Sequence, residues 1–154
     1  MLFRSPQFPY PAAHEDALAV YRHLIGPGGF APGKVAVAGD SAGGSISLSL
    51  MADARDLGLP QPACGMLNSV WADIDLNTPS LDDVRRNGCD IRRELVEVLS
   101  STFLSTGGID PRDPRHSPVY RDLTGINPLL LQAAGNDTCH DDSVRAAVAI
   151  TRSR

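Results

Sequence analysis

Lys34 to Leu57 reads KVAVAGDSAGGSISLSLMADARDL, and its interpretation decides the fold. Val35-Ala36-Val37-Ala38 is a short apolar run of the kind that forms a buried strand, while Ala42, Ile46, Leu50, Ala54 and Leu57 recur at helical spacing. Between them stands Gly39-Asp40-Ser41-Ala42-Gly43, a G-x-S-x-G turn from strand to helix. Such a turn holds a serine hydroxyl outward in a strained backbone, and glycine on either side leaves room for the chain to cross itself. Ser41 is therefore the candidate nucleophile, with Gly39, Asp40, Gly43 and Gly44 as the supporting turn. The amide of Ala42, at the positive end of the following helix, is a candidate oxyanion donor. The competing interpretation is a serine that merely caps the helix.

Working outward, Ala12 to Ile25 places Ala17, Val20, Tyr21 and Leu24 on one helical stripe, with Glu15 and Asp16 in the first turn. Residues 1–12 carry Pro6, Pro9 and Pro11 and read as an irregular leading segment. Downstream, Gly58 and Pro60 end the central helix, and Ala63–Val70 reads as a second buried strand. Trp71–Asp90 is polar and turn-rich, the composition of a long surface connection. Arg92–Leu104 is helical with Leu95, Leu99 and Phe103 on a stripe, Leu129–Ala134 is a third apolar strand, and a last helix starts near Asp141. Apolar strands alternating with helices imply a parallel sheet flanked by helices, a three-layer α/β arrangement in one domain over 1–154. Reactive groups in such sheets lie beyond the carboxyl ends of the strands, where both Ser41 and Asp137 fall. Asp137 is the candidate acid of a serine, acid, histidine order, or otherwise a turn or cap aspartate.

Composition narrows the function. Of 154 residues, 42% are apolar and 21% charged, and the net charge of −4 leaves no basic footprint for nucleic acid. The apolar runs are too short to span a membrane, and the start lacks the pattern of a secretory signal, so the expected location is the cytoplasm. Cys64, Cys89 and Cys139 show no paired spacing and read as reduced thiols. No metal or cofactor is implied. His140 stands among acids in Asp137-Thr-Cys-His-Asp-Asp, but neighbouring residues in one turn seldom converge on one metal.

Several spaced segments resemble the hormone-sensitive-lipase-like esterases of the α/β-hydrolase fold. Phe3-Arg4 through Pro9-Tyr10-Pro11-Ala12-Ala13 is similar to a tyrosine-arginine, proline-rich segment of that family; Gly39-Asp40-Ser41-Ala42-Gly43-Gly44 is its G-D-S-A-G-G; Ser69-Val70-Trp71-Ala72-Asp73 resembles its S-P-W-x-D with valine for proline. Asp113-Pro114-Arg115-His116-Ser117-Pro118 matches D-P-x-x-S-P, and Gly135-Asn136-Asp137 with Asp141-Asp142 resembles G-x-D and an acidic pair. The resemblance implies a carboxylic ester hydrolase or deacetylase that acts on a small-molecule ester through an acyl-enzyme on Ser41, with Asp137 as acid. It also implies an H-G-G-G loop upstream and a histidine downstream, and neither lies within residues 1–154. The expectation is thus an incomplete α/β-hydrolase domain with little activity alone, whose exposed sheet edges favour self-association. The alternatives are a non-catalytic ligand-binding relative, as the gibberellin receptor is, or a gene remnant. The G-D-S-G-G of trypsin-like proteases is excluded by the α/β pattern, since those enzymes are β-barrels.

Overall fold

The computed structural model describes residues 5–83, 91–105 and 107–151. Phe3, Arg4, Cys89 and the end of the Trp71–Asp90 connection lie outside them. In chain order the elements are α1 (Ala12–Ile25), β1 (Ala36–Asp40), α2 (Ala42–Asp56), β2 (Cys64–Asn68), α3 (Pro79–Asp82), α4 (Arg93–Phe103), β3 (Leu129–Gln132) and α5 (His140–Thr151). The three strands form one parallel sheet in the order β1-β2-β3. This is the expected parallel sheet flanked by helices.

Strand limits differ from the sequence reading for reasons visible in the ladder. β1 runs on to Asp40 because Gly39 and Asp40 pair with Leu67 and Asn68. β2 stops short of Val70, whose amide donates instead to the Ser143 hydroxyl on α5 at 3.0 Å. β3 ends at Gln132, which accepts the last cross-strand bond from Ser69.

Helices pack on the face formed by Val37, Gly65, Leu67, Leu129 and Leu131. Leu48 and Ala52 of α2 meet Leu67, Val70 and Ala146 of α5, while Tyr21 of α1 packs with Leu50 and Ala54 of α2 against Val35 and Val37. α2 lies between α1 and the sheet, which explains its small residues. Gly44, Ser45, Ser47, Ser49, Ala52 and Ala54 are all buried because larger side chains would hold the layers apart. On the opposite face, Met66 and Leu130 are paired in register and remain 46% and 51% exposed, beside exposed Ala36, Ala38 and Cys64.

Three stripes need correction. Val20 and Leu57 are exposed, and α4 is rotated so that Val96, Ser100 and Phe103 are buried while Leu95 is 47% exposed. Ser100 is drawn inward because its hydroxyl donates to the Ile74 carbonyl at 2.9 Å. The connection after β2 is not a surface loop in its described part: Val70, Trp71, Ala72, Asp73, Ile74, Leu76, Thr78, Ser80 and Leu81 are buried. Trp71, Ile74, Leu76 and Leu81 form a cluster with Tyr10, Val96 and Phe103.

Candidate active site

β1 delivers the chain to Ser41 and α2 carries it away. Ser41 adopts φ 52 and ψ −119, a conformation that costs a non-glycine residue on the order of 1–3 kcal/mol. The strain is held by three backbone bonds: the Ser41 amide donates to Asn68, and its carbonyl accepts from Ser45 and Trp71. Ser41 occupies the N-cap position of α2, yet its hydroxyl makes no capping hydrogen bond. The hydroxyl is therefore not spent on the helix. Ala42 is the first helical residue, so its amide belongs to the first turn, where N–H groups lack an intrahelical acceptor and the dipole favours negative charge.

The flanking glycines are not equivalent. A Cβ on Gly39 would lie 2.2 Å from the Gly43 carbonyl oxygen, so Gly39 is where the backbones cross. A Cβ on Gly43 would meet nothing within 4 Å, and one on Gly44 would press on Val70 Cγ2 at 3.2 Å. The expected need for glycine on both sides of the serine thus reduces to Gly39 on steric grounds, with Gly44 serving the contact between α2 and the chain after β2. Asp40 is exposed at the end of β1, on the rim of the cleft above the sheet.

Asp137 follows β3 in a turn closed by its own carboxylate: Oδ1 accepts the Cys139 amide at 2.9 Å and the Thr138 hydroxyl at 3.4 Å. It therefore is a turn aspartate, but one with a second oxygen to spare, since Oδ2 has no hydrogen bond among the described residues. Ser41 and Asp137 line one cleft of about 330 Å³, together with Asp40, Ser69, Asn136, Thr138 and Cys139. A smaller apolar pocket of about 90 Å³ opens beside Ser41 and is walled by Leu76, Leu81, Leu95, Val96 and Leu99.

No histidine ring hydrogen-bonds Asp137 among the described residues. His140 Nδ1 faces Asp141 Oδ1 at 3.0 Å. His14 and His116 pack edge-on against Tyr10, with ring centroids 5.2 and 4.6 Å away, and their ring nitrogens are buried; those of His14 have no hydrogen-bond partner among the described residues. Burial, then the neighbouring His116 and Arg121, lowers the His14 pKa to about 4; burial likewise lowers that of His116. Both are neutral aromatic packing groups behind the elbow. Burial and the nearby Asp142 and Asp137 push the Cys139 thiol up to about 12, so this cysteine in the cleft wall is no nucleophile at neutral pH. Among the described residues no three His, Cys, Asp or Glu side chains are grouped to hold a metal ion.

Sequence reading quoted Asp73 only as the end of the Ser69–Asp73 resemblance, without a role, and missed Tyr120 and Arg145. Asp73 Oδ2 accepts Arg145 Nη1 at 2.6 Å and the Tyr120 hydroxyl at 2.9 Å. The three come from separate segments, so no local pattern joins them.

Residues 3–153 match a family described as having the alpha/beta hydrolase fold. An acetyl-hydrolase of Streptomyces hygroscopicus is 39% identical over 145 residues, covering 91% of this chain and 46% of the relative. The carboxylic ester hydrolase LipN of Mycobacterium tuberculosis is 34% identical, covering 95% of this chain and 41% of the relative. A crystal structure of an esterase from the bacterial hormone-sensitive lipase family superposes with a TM-score of 0.88 at 34% identity, covering 97% of this chain and 49% of that one. The chain spans about half the length of the curated relatives it matches.

Proposed function

The chain belongs to the α/β-hydrolase family, and from that membership we infer that it carries the nucleophile and the acid of a carboxylic ester hydrolase. One observation supports this most: Ser41 is held at positive φ with a hydroxyl unused by the helix, in a cleft it shares with Asp137. In this reading Ser41 Oγ attacks the acyl carbon, the carbonyl oxygen gains charge next to the Ala42 amide, and the alcohol leaves as an acyl-enzyme forms; water then releases the acid. Asp137 Oδ2 orients the imidazole that takes and returns the proton. That imidazole and the remaining oxyanion donors are expected outside residues 1–154, in sequence equivalent to the rest of the relatives.

The pocket beside Ser41 supports a short, uncharged acyl group, since its volume of about 90 Å³ and its mostly apolar walls suit a few methylenes, while Asp73 and Asp142, which also line it, oppose a negative charge. The names acetyl-hydrolase and ethyl acetate hydrolase among the relatives point the same way. A reducing, cytoplasmic setting accords with the exposed free thiol of Cys64. Among the described residues no helix is long and apolar enough to cross a membrane.

The test is hydrolysis of a p-nitrophenyl ester of a short acid by two proteins, each with and without Ser41→Ala. The reading frame extended to include an H-G-G-G loop and a downstream histidine should turn over, and Ser41→Ala should abolish it. Residues 1–154 alone should be slower by about 10⁶, the cost of losing a triad base. A rate in the extended protein that ignores Ser41→Ala sinks the proposal.

A further inference from the structure

The connection after β2 and the start of α5 are joined by a set of bonds, three of which converge on one buried side chain. Asp142, 2% exposed, accepts the amides of Ala72 and Asp73 through Oδ2 at 2.9 and 3.0 Å, and the Thr78 hydroxyl through Oδ1. The residue before Ala72 is Trp71, whose amide donates to the Ser41 carbonyl at 3.2 Å. Five residues before Asp142 stands Asp137, whose Oδ1 is fixed by the Cys139 amide in the turn that starts α5. The Asp142 carboxylate therefore stands between the backbone that holds Ser41 and the turn that aims Asp137, on the far side of Trp71 from the bond between Val70 and Ser143.

We propose that Asp142 is a positioning residue that sets the Asp137 turn against Ser41 by clamping the Trp71–Asp73 backbone to the first turn of α5. The inference rests on the reading of Ser41 and Asp137 as nucleophile and acid. Charge-assisted bonds to backbone amides are stiffer and stronger than neutral ones, and a carboxylate can take both amides and the hydroxyl at once. An apolar side chain of similar size would fill the space but leave two buried amides unpaired. Neighbouring bonds have the same direction: Ser143 accepts the Val70 amide at 3.0 Å, and Asp141 accepts the Ser80 amide at 2.9 Å. Asp142 differs from these two in touching the residues immediately after Trp71. Asp73 on the facing loop and Arg145, with Nη1 3.8 Å from Oδ1, are the charges that bear on it from the connection and from α5. Burial is the main reason its pKa is raised to about 6.

The experiment is amide hydrogen exchange and ¹H–¹⁵N spectra of the 154-residue chain with Asp142→Asn, and with Thr78→Val as the milder variant that keeps the carboxylate. In Asp142→Asn, protection at Ala72 and Asp73 should fall about tenfold or more, the loss expected for a hydrogen bond to a charged group. The deciding signals are the Trp71 and Cys139 amides, which report the Ser41 carbonyl and the Asp137 carboxylate. Both should shift and lose protection in Asp142→Asn, and shift less, in the same direction, in Thr78→Val. If Asp142→Asn does not fold, the Thr78→Val shifts at Trp71 and Cys139 carry the decision. Changes confined to Ala72, Asp73 and Thr78, with Trp71 and Cys139 unmoved, overturn the proposal and leave Asp142 a local tether. Neither signal needs turnover, so failure here is separate from failure of the ester-hydrolase reading, which the Ser41→Ala comparison decides.

Discussion

The turn at Gly39–Gly44 and the connection at Ser69–Asp82 lie side by side above the sheet, and both hold non-glycine residues at positive φ: Ser41 in the first, Ser69 and Leu76 in the second. The first is set by the backbone crossing at Gly39 and Gly43 and held by main-chain bonds, from Ser45 in its own helix and from Asn68 and Trp71 on the neighbouring chain segment. The second is held by side chains 43 to 73 positions away, Ser117, Asp141, Asp142 and Ser143 among them. A conformation can thus be made compulsory by local sterics or by remote hydrogen bonds. The two devices fail differently.

The strongest way to separate them is steric. Gly39→Ala places a methyl 2.2 Å from a backbone oxygen that cannot move without moving α2, so it should cost more than about 3 kcal/mol and abolish a cooperative denaturant transition. Gly43→Ala, four positions on, should shift the midpoint by less than about 1 kcal/mol and in the stabilising direction, through helix propensity. Equal effects would show that the turn is not held by the crossing at Gly39.

The connection should yield to loss of a partner instead. Asp73 is fully buried, and Asp73→Ala strands the Arg145 guanidinium and the Tyr120 hydroxyl; because Arg145 is about a third exposed, the expected loss is about 2–3 kcal/mol in chemical denaturation. A loss below about 0.5 kcal/mol would mean that the ion pair does not hold the loop.

Acid should act on the two regions with opposite sign. His14, behind the turn, has a folded pKa of about 4 against 6.5 unfolded, so the unfolded chain takes up its proton first as pH falls. Its stability contribution is full above pH 6.5 and is lost between there and about pH 4, on the order of 3 kcal/mol. Asp142, in the clamp, has a folded pKa of about 6 against 3.8, so protonation adds stability between pH 6 and 3.8 and offsets part of that loss. His14→Leu should flatten the fall in stability over this window, and Asp142→Asn should steepen it. Denaturation midpoints from pH 7 to 4 measure both, and parallel curves for His14→Leu and the parent would refute the assignment to His14.

The smallest effect expected is at Ser41 itself. A capping serine lost to alanine costs about 1 kcal/mol, but this hydroxyl caps nothing, so Ser41→Ala should change stability by less than about 0.5 kcal/mol.

These contrasts also explain what could be read in advance. Val35–Ala38, the glycines and the spacing from Ala42 to Ala54 describe one continuous stretch whose pattern is set by nearest neighbours, so the strand, the turn and the helix were all legible. Asp137 was legible as an acid just past an apolar strand. Trp71–Asp90 was misread because polar and turn-forming residues usually mark solvent, whereas here Asp73, Thr78 and Ser80 are buried against partners on α5 and elsewhere. The α4 stripe was misread for the same reason. The stripe of Leu95, Leu99 and Phe103 left out Ser100, whose bond to Ile74 faces it inward.

Sequence alone therefore determined the alternation of strands and helices, the G-x-S-x-G turn with Ser41 at its apex, and the acid after the third strand. These follow from periodicity, backbone freedom at glycine and chain order, all of which act over a few residues. Tertiary structure decided that Gly39 and not Gly43 is the steric requirement and that His14 and His116 are neutral packing groups. It also tied the connection after β2 through Asp142 to the helix that follows Asp137. Each of these depends on what a distant segment places beside the residue, and a buried polar group takes its meaning from its partner.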